Sequence, residues 1–231
     1  NLEIRKWIRE GDDIPNHRIH LWRRLFWTFT LLAKNSGARP EELRHLRWKD
    51  VEVVDVGRIS QSKLQQEIED LASDGIDVIG EDEGDGWVSS NEALGREERL
   101  VAYLSVTSSK TGQMREIPTN TGEAIVRWRD YINHHSTKRN TGYTIRPNDF
   151  VFGNQDDWSR VLSRGVFGKS WRQIQKRCEG RLIGHKFSSH PYTLYSMRST
   201  FIEDHLLKGT DLFLLARIAG HDPKILLKHY E

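Results

Sequence analysis

A single cysteine, Cys178, stands in the 231 residues, so an internal disulfide is excluded and there is no second thiolate for the usual zinc site. Cys178 reads as a small core or surface residue. No apolar run approaches the roughly 20 residues a membrane-spanning helix needs, and the start, Asn1-Leu2-Glu3-Ile4-Arg5-Lys6-Trp7, lacks the apolar stretch of a secretory signal. The chain is expected to be intracellular, with no membrane partner. Internal repeats are missing too, and low complexity is confined to one acidic stretch. What remains is an ordinary apolar content of 36%, enough for a sizeable core in one large domain or two small ones.

The formal net charge of +2 hides a segregation of signs. Residues 67–98 hold twelve acids and one base, Arg96, which leaves a surplus of thirteen positive charges on the rest of the chain. A surface that basic attracts polyanions, of which nucleic-acid backbone is the commonest in a cell. Charge alone also describes a solvated surface rich in lysine and arginine. The acidic segment mixes its charges with glycine and serine and has too little apolar surface to offset the cost of ordering, so it reads as a protruding or mobile insertion outside the packed core.

Periodicity supplies the elements. From His17 to Lys34, Ile19, Trp22, Leu25, Phe26, Phe29 and Leu32 recur at helical spacing, and Asn35-Ser36-Gly37 supplies a stop. Pro40 suits the first turn of another helix, with Glu41 and Glu42 near its positive end, so Arg39 sits at a helix start. Strands are predicted at Val51–Ile59, Arg99–Val106 and Met114–Pro118, the last two joined by a hairpin turn with Lys110 at its tip. Helices are predicted at Gly122–Asn133 and Gly165–Arg177, with a loop-rich stretch from Asn140 to Trp158 between them. Three more follow: Tyr195–Leu207, one capped by Thr210 or Asp211 and ending at Gly220, and one started by Asp222-Pro223. The fold class is mainly α with a small antiparallel β-sheet (α+β).

The end of the chain carries the sharpest chemistry. Gly220-His221-Asp222-Pro223-Lys224-Ile225-Leu226-Leu227-Lys228-His229-Tyr230 puts a histidine and a tyrosine on one short segment, downstream of Arg198. That suggests a tyrosine acting as nucleophile on a phosphate, a reaction that also needs cationic donors for the phosphoryl oxygens and an acid for the departing hydroxyl. Taken with Gly37-Ala38-Arg39-Pro40-Glu41-Glu42-Leu43, Ser109-Lys110-Thr111-Gly112, Met197-Arg198-Ser199-Thr200-Phe201 and Ala219-Gly220-His221, the order of motifs resembles the tyrosine recombinase (phage integrase) family over nearly the whole chain.

The resemblance implies a catalytic domain over residues 1–231 that cleaves and rejoins DNA through a 3′-phosphotyrosyl bond, with no metal or other cofactor. Arg39 and Arg198 would clamp the phosphate with guanidinium forks, Glu42 would support the site, Lys110 would protonate the leaving 5′ oxygen, His221 would donate to a non-bridging oxygen, and Tyr230 would attack. A surface salt bridge of Arg39 with Glu41 or Glu42 is the plainer reading of that arginine. One departure stands out: Tyr195 occupies the position, three residues before Arg198, where the family usually has histidine. A neutral phenol can donate one hydrogen bond but is a poor proton acceptor at neutral pH. His190 is out of register and reads as a loop residue, as His229 reads as a bystander beside Tyr230. Full-length members add an N-terminal helical DNA-binding domain and act as tetramers on two double-stranded DNA sites, and the C-terminal segment that commonly packs on a neighbouring subunit is not seen past Tyr230. Type IB topoisomerases and telomere resolvases share this chemistry, and a DNA-binding protein that has lost activity with the histidine is the third reading.

Overall fold

The apolar stripe that begins near His17 folds as helix α1 (His17–Ser36) of the computed structural model, which describes residues 6–10, 16–56, 100–108, 112–138, 141–178 and 192–230. The Asn16 side chain caps it, accepting from the Arg18 N–H at 3.0 Å. Leu21, Leu25, Phe26, Phe29 and Leu32 are buried along its inward face. Phe29 lies edge-on to Phe152 and tilted on Phe167, with ring centroids 5.2 and 4.4 Å apart, which makes this helix the centre of the main core. Gly37 ends it in the left-handed region, φ 63°, where a side chain is costly. Space forbids one as well: a Cβ on Gly37 would come within 2.4 Å of the Phe201 ring.

Pro40 then opens the one-turn helix α2 (Pro40–Arg44), with Arg39 at its N-cap as the sequence predicts. A 3₁₀ turn at Trp48–Asp50 leads into β1 (Val51–Asp55), which pairs antiparallel with β2 (Leu100–Thr107), and β2 pairs antiparallel with β3 (Met114–Thr119), in the order β1-β2-β3. The ladder of β1 and β2 runs out to Asp55 opposite Leu100, and the acidic stretch 67–98 lies outside the described residues. Alternation puts Ala102, Leu104 and Val106 of β2 on the buried face with Ile117 of β3. Arg115, opposite Val106, stands on that same face.

Helix α3 (Gly122–Lys138) continues past Asn133, and Trp128 and Ile132 bury its apolar side. From 141 to 152 the chain is mostly loop and turn, as predicted, and then gains regular structure. It contributes a β-hairpin, β4 (Gly153–Asn154) with β5 (Asp157–Val161), turned over Gln155-Asp156. Trp158 fastens it to the core, its ring 5.7 Å from Tyr143 and 6.1 Å from Trp128. Helix α4 (Arg164–Cys178) follows, with Cys178 half-buried at the margin of the core.

The last three helices, α5 (Ser196–Leu207), α6 (Leu212–Ala219) and α7 (Pro223–Tyr230), close over a smaller cluster of Phe201, Ile202, Leu215, Ala216, Ala219 and Leu226. Asp211 caps α6 by accepting from the Leu214 N–H at 2.8 Å, and Asp222 accepts from the Lys224 N–H at 2.9 Å. Helix α5 packs on α1 and α6 on β3, so the small cluster sits against the end of α1 and the edge of the sheet. No helix among the described residues is long and apolar enough to cross a membrane.

Candidate active site

Arg198 is the anomaly around which the site is built. It lies in the first turn of α5 and is only 1% exposed, yet it is charged. Its Nη1 donates to the Gly37 carbonyl at 2.5 Å, while Nε and Nη2 are buried without a hydrogen-bond partner among the described residues. Burial and the neighbouring positive charge of Arg39 push its pKa down to about 10, a direction that the negative charge of Glu42 only partly opposes. A guanidinium stays protonated at any working pH, so the shift measures how poorly the site accommodates the charge. Buried donors left unmet are costly and rare.

The second arginine is held more fully. Glu42, whose side chain is 1% exposed, accepts from the Arg39 N–H at 2.8 Å and from Arg39 Nη1 at 2.8 Å, capping the start of α2. Arg115 closes on the same carboxylate from β3, Nη1 at 3.0 Å and Nη2 at 2.6 Å. Burial would raise the Glu42 carboxyl, but hydrogen bonds and charge from Arg115 and Arg39 overcome this and hold it below the usual carboxylate value. The ion pair entertained for Arg39 is therefore present, with Glu42, but it is buried rather than superficial. Glu41 turns away to Arg44 and Arg164, at 2.5 and 2.7 Å.

Both arginines also reach the far end of α6. Arg39 Nη2 donates to the Gly220 carbonyl at 3.0 Å and Arg115 Nε to the Ile218 carbonyl at 2.9 Å. Gly220, at φ 64°, turns the chain so that the His221 N–H donates back to Ala216 O at 2.9 Å, which fixes His221, half-buried, on a rigid cap. One carboxylate thus faces three guanidinium groups. The surplus positive charge and the unmet donors of Arg198 are the features that would suit an anion.

Tyr195 precedes α5 and is 45% exposed, so it is not the buried packing residue its ring suggests, and it lies close to Arg198. The turn that carries it is braced by Trp171 Nε1 and Gln175 Nε2, which donate to Tyr192 O at 2.8 and 2.6 Å. The structure therefore brings Arg39, Glu42, Arg198, Tyr195 and the His221 turn together. Lys110 lies outside the described residues, though the Ser108 N–H donates to Gln113 O at 2.9 Å across the hairpin that contains it. His190 also falls outside them. Of Tyr230 the backbone is described, in the last turn of α7. Sequence reasoning missed Arg115, and the signal was available: in Arg115-Glu116-Ile117-Pro118-Thr119 strand alternation aligns the arginine with the buried Ile117 and Thr119.

No model of a protein family matches the sequence, and no curated protein does. Solved structures do match. The XerH site-specific recombinase bound to its difH substrate in a pre-cleavage complex superimposes with a TM-score of 0.56 at 15% identity, over 97% of this chain and 47% of that one. A post-cleavage complex of XerH with palindromic difH gives a TM-score of 0.57 at 15% identity, over 100% of this chain and 48% of that one. What is shared is the fold, that of the tyrosine recombinase catalytic domain. The chain spans about half the length of the XerH chains it matches.

Proposed function

We propose that this chain cleaves and rejoins double-stranded DNA at specific sites, as XerH, the site-specific recombinase of matching fold, does by its name. The observation that carries the reading is Arg198: a buried guanidinium with two nitrogens unmet, beside Arg39, whose own counter-charge Glu42 is already shared with Arg115. A phosphodiester offers the missing acceptors. Arg39 and Arg198 bind its non-bridging oxygens, and His221 adds a donor from the α6 cap. The Tyr230 oxygen attacks phosphorus in line, forming the phosphotyrosyl bond as the bond to the 5′ oxygen breaks; the phenolic proton leaves to solvent, and the Lys110 ammonium protonates the departing oxygen. Tyr195 donates one hydrogen bond where an imidazole usually stands. Rejoining reverses the steps, with no nucleotide needed because the phosphotyrosine conserves the bond energy. Assembly on two DNA sites as a homo-tetramer belongs to the full-length protein.

The test is incubation with a nicked suicide duplex followed by a denaturing gel. A covalent adduct is expected from the parent protein and none from Tyr230→Phe, which should still bind DNA. Undiminished adduct from that variant would remove Tyr230 from the mechanism.

A further inference from the structure

We propose that Arg115 is a positioning residue of this cleavage centre, one guanidinium that sets Glu42, and through it Arg39, in register with the turn bearing His221; this rests on the function proposed above. Three segments far apart in sequence converge on it. Two of its nitrogens grip the Glu42 carboxylate of α2, while Nε holds the Ile218 carbonyl at the end of α6. The residue itself is anchored by the ladder with β2, opposite Val106, and its side chain is 10% exposed. The planar fork is suited to this because its donors diverge at fixed angles, whereas a lysine ammonium can satisfy one partner but not span both.

Gly220 supplies independent support. A Cβ there would lie 2.9 Å from Arg115 Cζ and 3.0 Å from Nε and Nη1, so the guanidinium packs into space that exists only because this residue has no side chain. The glycine before His221 thus does two things: it permits φ 64° and it admits Arg115 beneath the turn. Arg39 completes the circuit, joining Glu42 to the Gly220 carbonyl. Losing Arg115 leaves Glu42 with one cationic partner and frees the α6 end to drift. A shift of about 1 Å in a catalytic group can cost on the order of a hundredfold in rate.

The experiment measures single-turnover cleavage of the nicked duplex, DNA affinity and thermal melting for Arg115→Ala, Arg115→Lys, Glu42→Gln and the two double variants, with the His221 ring resonances followed by NMR. Folded Arg115→Ala is expected to bind the duplex within about twofold of the parent but to cleave it roughly ten- to a hundredfold more slowly, with Arg115→Lys between the two. In the Glu42→Gln background the same substitutions should cost no more than about threefold further, because the partner through which they act is gone. His221 resonances should move in both variants. Unchanged cleavage in a folded variant, or an effect as large without Glu42 as with it, overturns the assignment. If Arg115→Ala does not fold, Arg115→Lys completes the same cycle. A parent that forms no adduct refutes the functional reading instead, and the His221 spectrum then decides the present one: unmoved resonances in the Arg115 variants refute it.

Discussion

Replacing Arg198 by methionine should make the DNA-free protein more stable while abolishing its activity. The substitution removes one hydrogen bond, Nη1 to Gly37 O, worth about 1.5–3 kcal/mol for a charged donor. It also relieves two buried nitrogens that have no partner among the described residues, each costing about 1–3 kcal/mol and more when charged, together with repulsion from Arg39. A flexible apolar side chain fills much of the same volume. The balance favours the variant by about 1–3 kcal/mol, which for a chain of this size is a rise in Tm of roughly 3–10 °C. Calorimetry without DNA reads the first effect and the suicide-duplex gel the second, where a loss of at least about a hundredfold is expected from one preorganised charged donor. Sulfate should raise the Tm of the parent and not of the variant, since an anion binds only where the donors remain. A variant that melts several degrees below the parent would show that the guanidinium is compensated within the protein, and the anion seat would fall with it.

Tyr195→Phe removes one hydroxyl near Arg198 and should slow cleavage, while Tyr195→His should preserve or raise it; an unchanged single-turnover rate in the Phe variant makes Tyr195 a bystander. Glu42 is held below its ordinary value of 4.5, so the folded state binds its proton more weakly than the unfolded chain. Its contribution to stability is then complete above about pH 4.5 and is lost as the pH falls through the lower folded value. The stability gap between the parent and Glu42→Gln should accordingly shrink as the pH falls below about 4.5, and a gap independent of pH contradicts the ion-pair account. Because Asp55 pairs directly with Leu100, the intervening chain leaves and re-enters the sheet at one point. Excising residues 67–98 should therefore leave a cooperatively folding domain, and a collapse of its thermal transition would show that the acidic segment belongs to the core.

Much of the fold was legible where one force dominates. The stripe of α1 and the Asp211 and Asp222 caps are local patterns, and they appear as read. The hairpin at Gly153–Val161 was not legible, because its strands are polar and short and are held by Trp158 against rings from distant segments. Helix α3 outran its prediction in the same way: past Asn133 the sequence is polar, yet Ser136 is buried and donates to Tyr143 O at 2.8 Å. At the site, motif order pointed to Arg39, Glu42, Arg198 and His221, and geometry joins them. Arg115 escaped notice because its partners, Glu42 and Ile218, lie 73 and 103 residues away. Strand alternation puts the arginine on the side of Ile117, but nothing local says which groups it meets there.

The Gly37 carbonyl that receives Arg198 is also the end of a 20-residue helix. The aligned peptide dipoles of α1 leave roughly half a negative charge there. Arg198 is thus countered by a fraction of a charge that belongs to the backbone, enough to hold the guanidinium in place and too little to neutralise it. Arg39 and Arg115 share a carboxylate, and acid can remove that. Only one side of the seat is tunable by pH; the other is set by the backbone at a helix end and persists wherever α1 is folded.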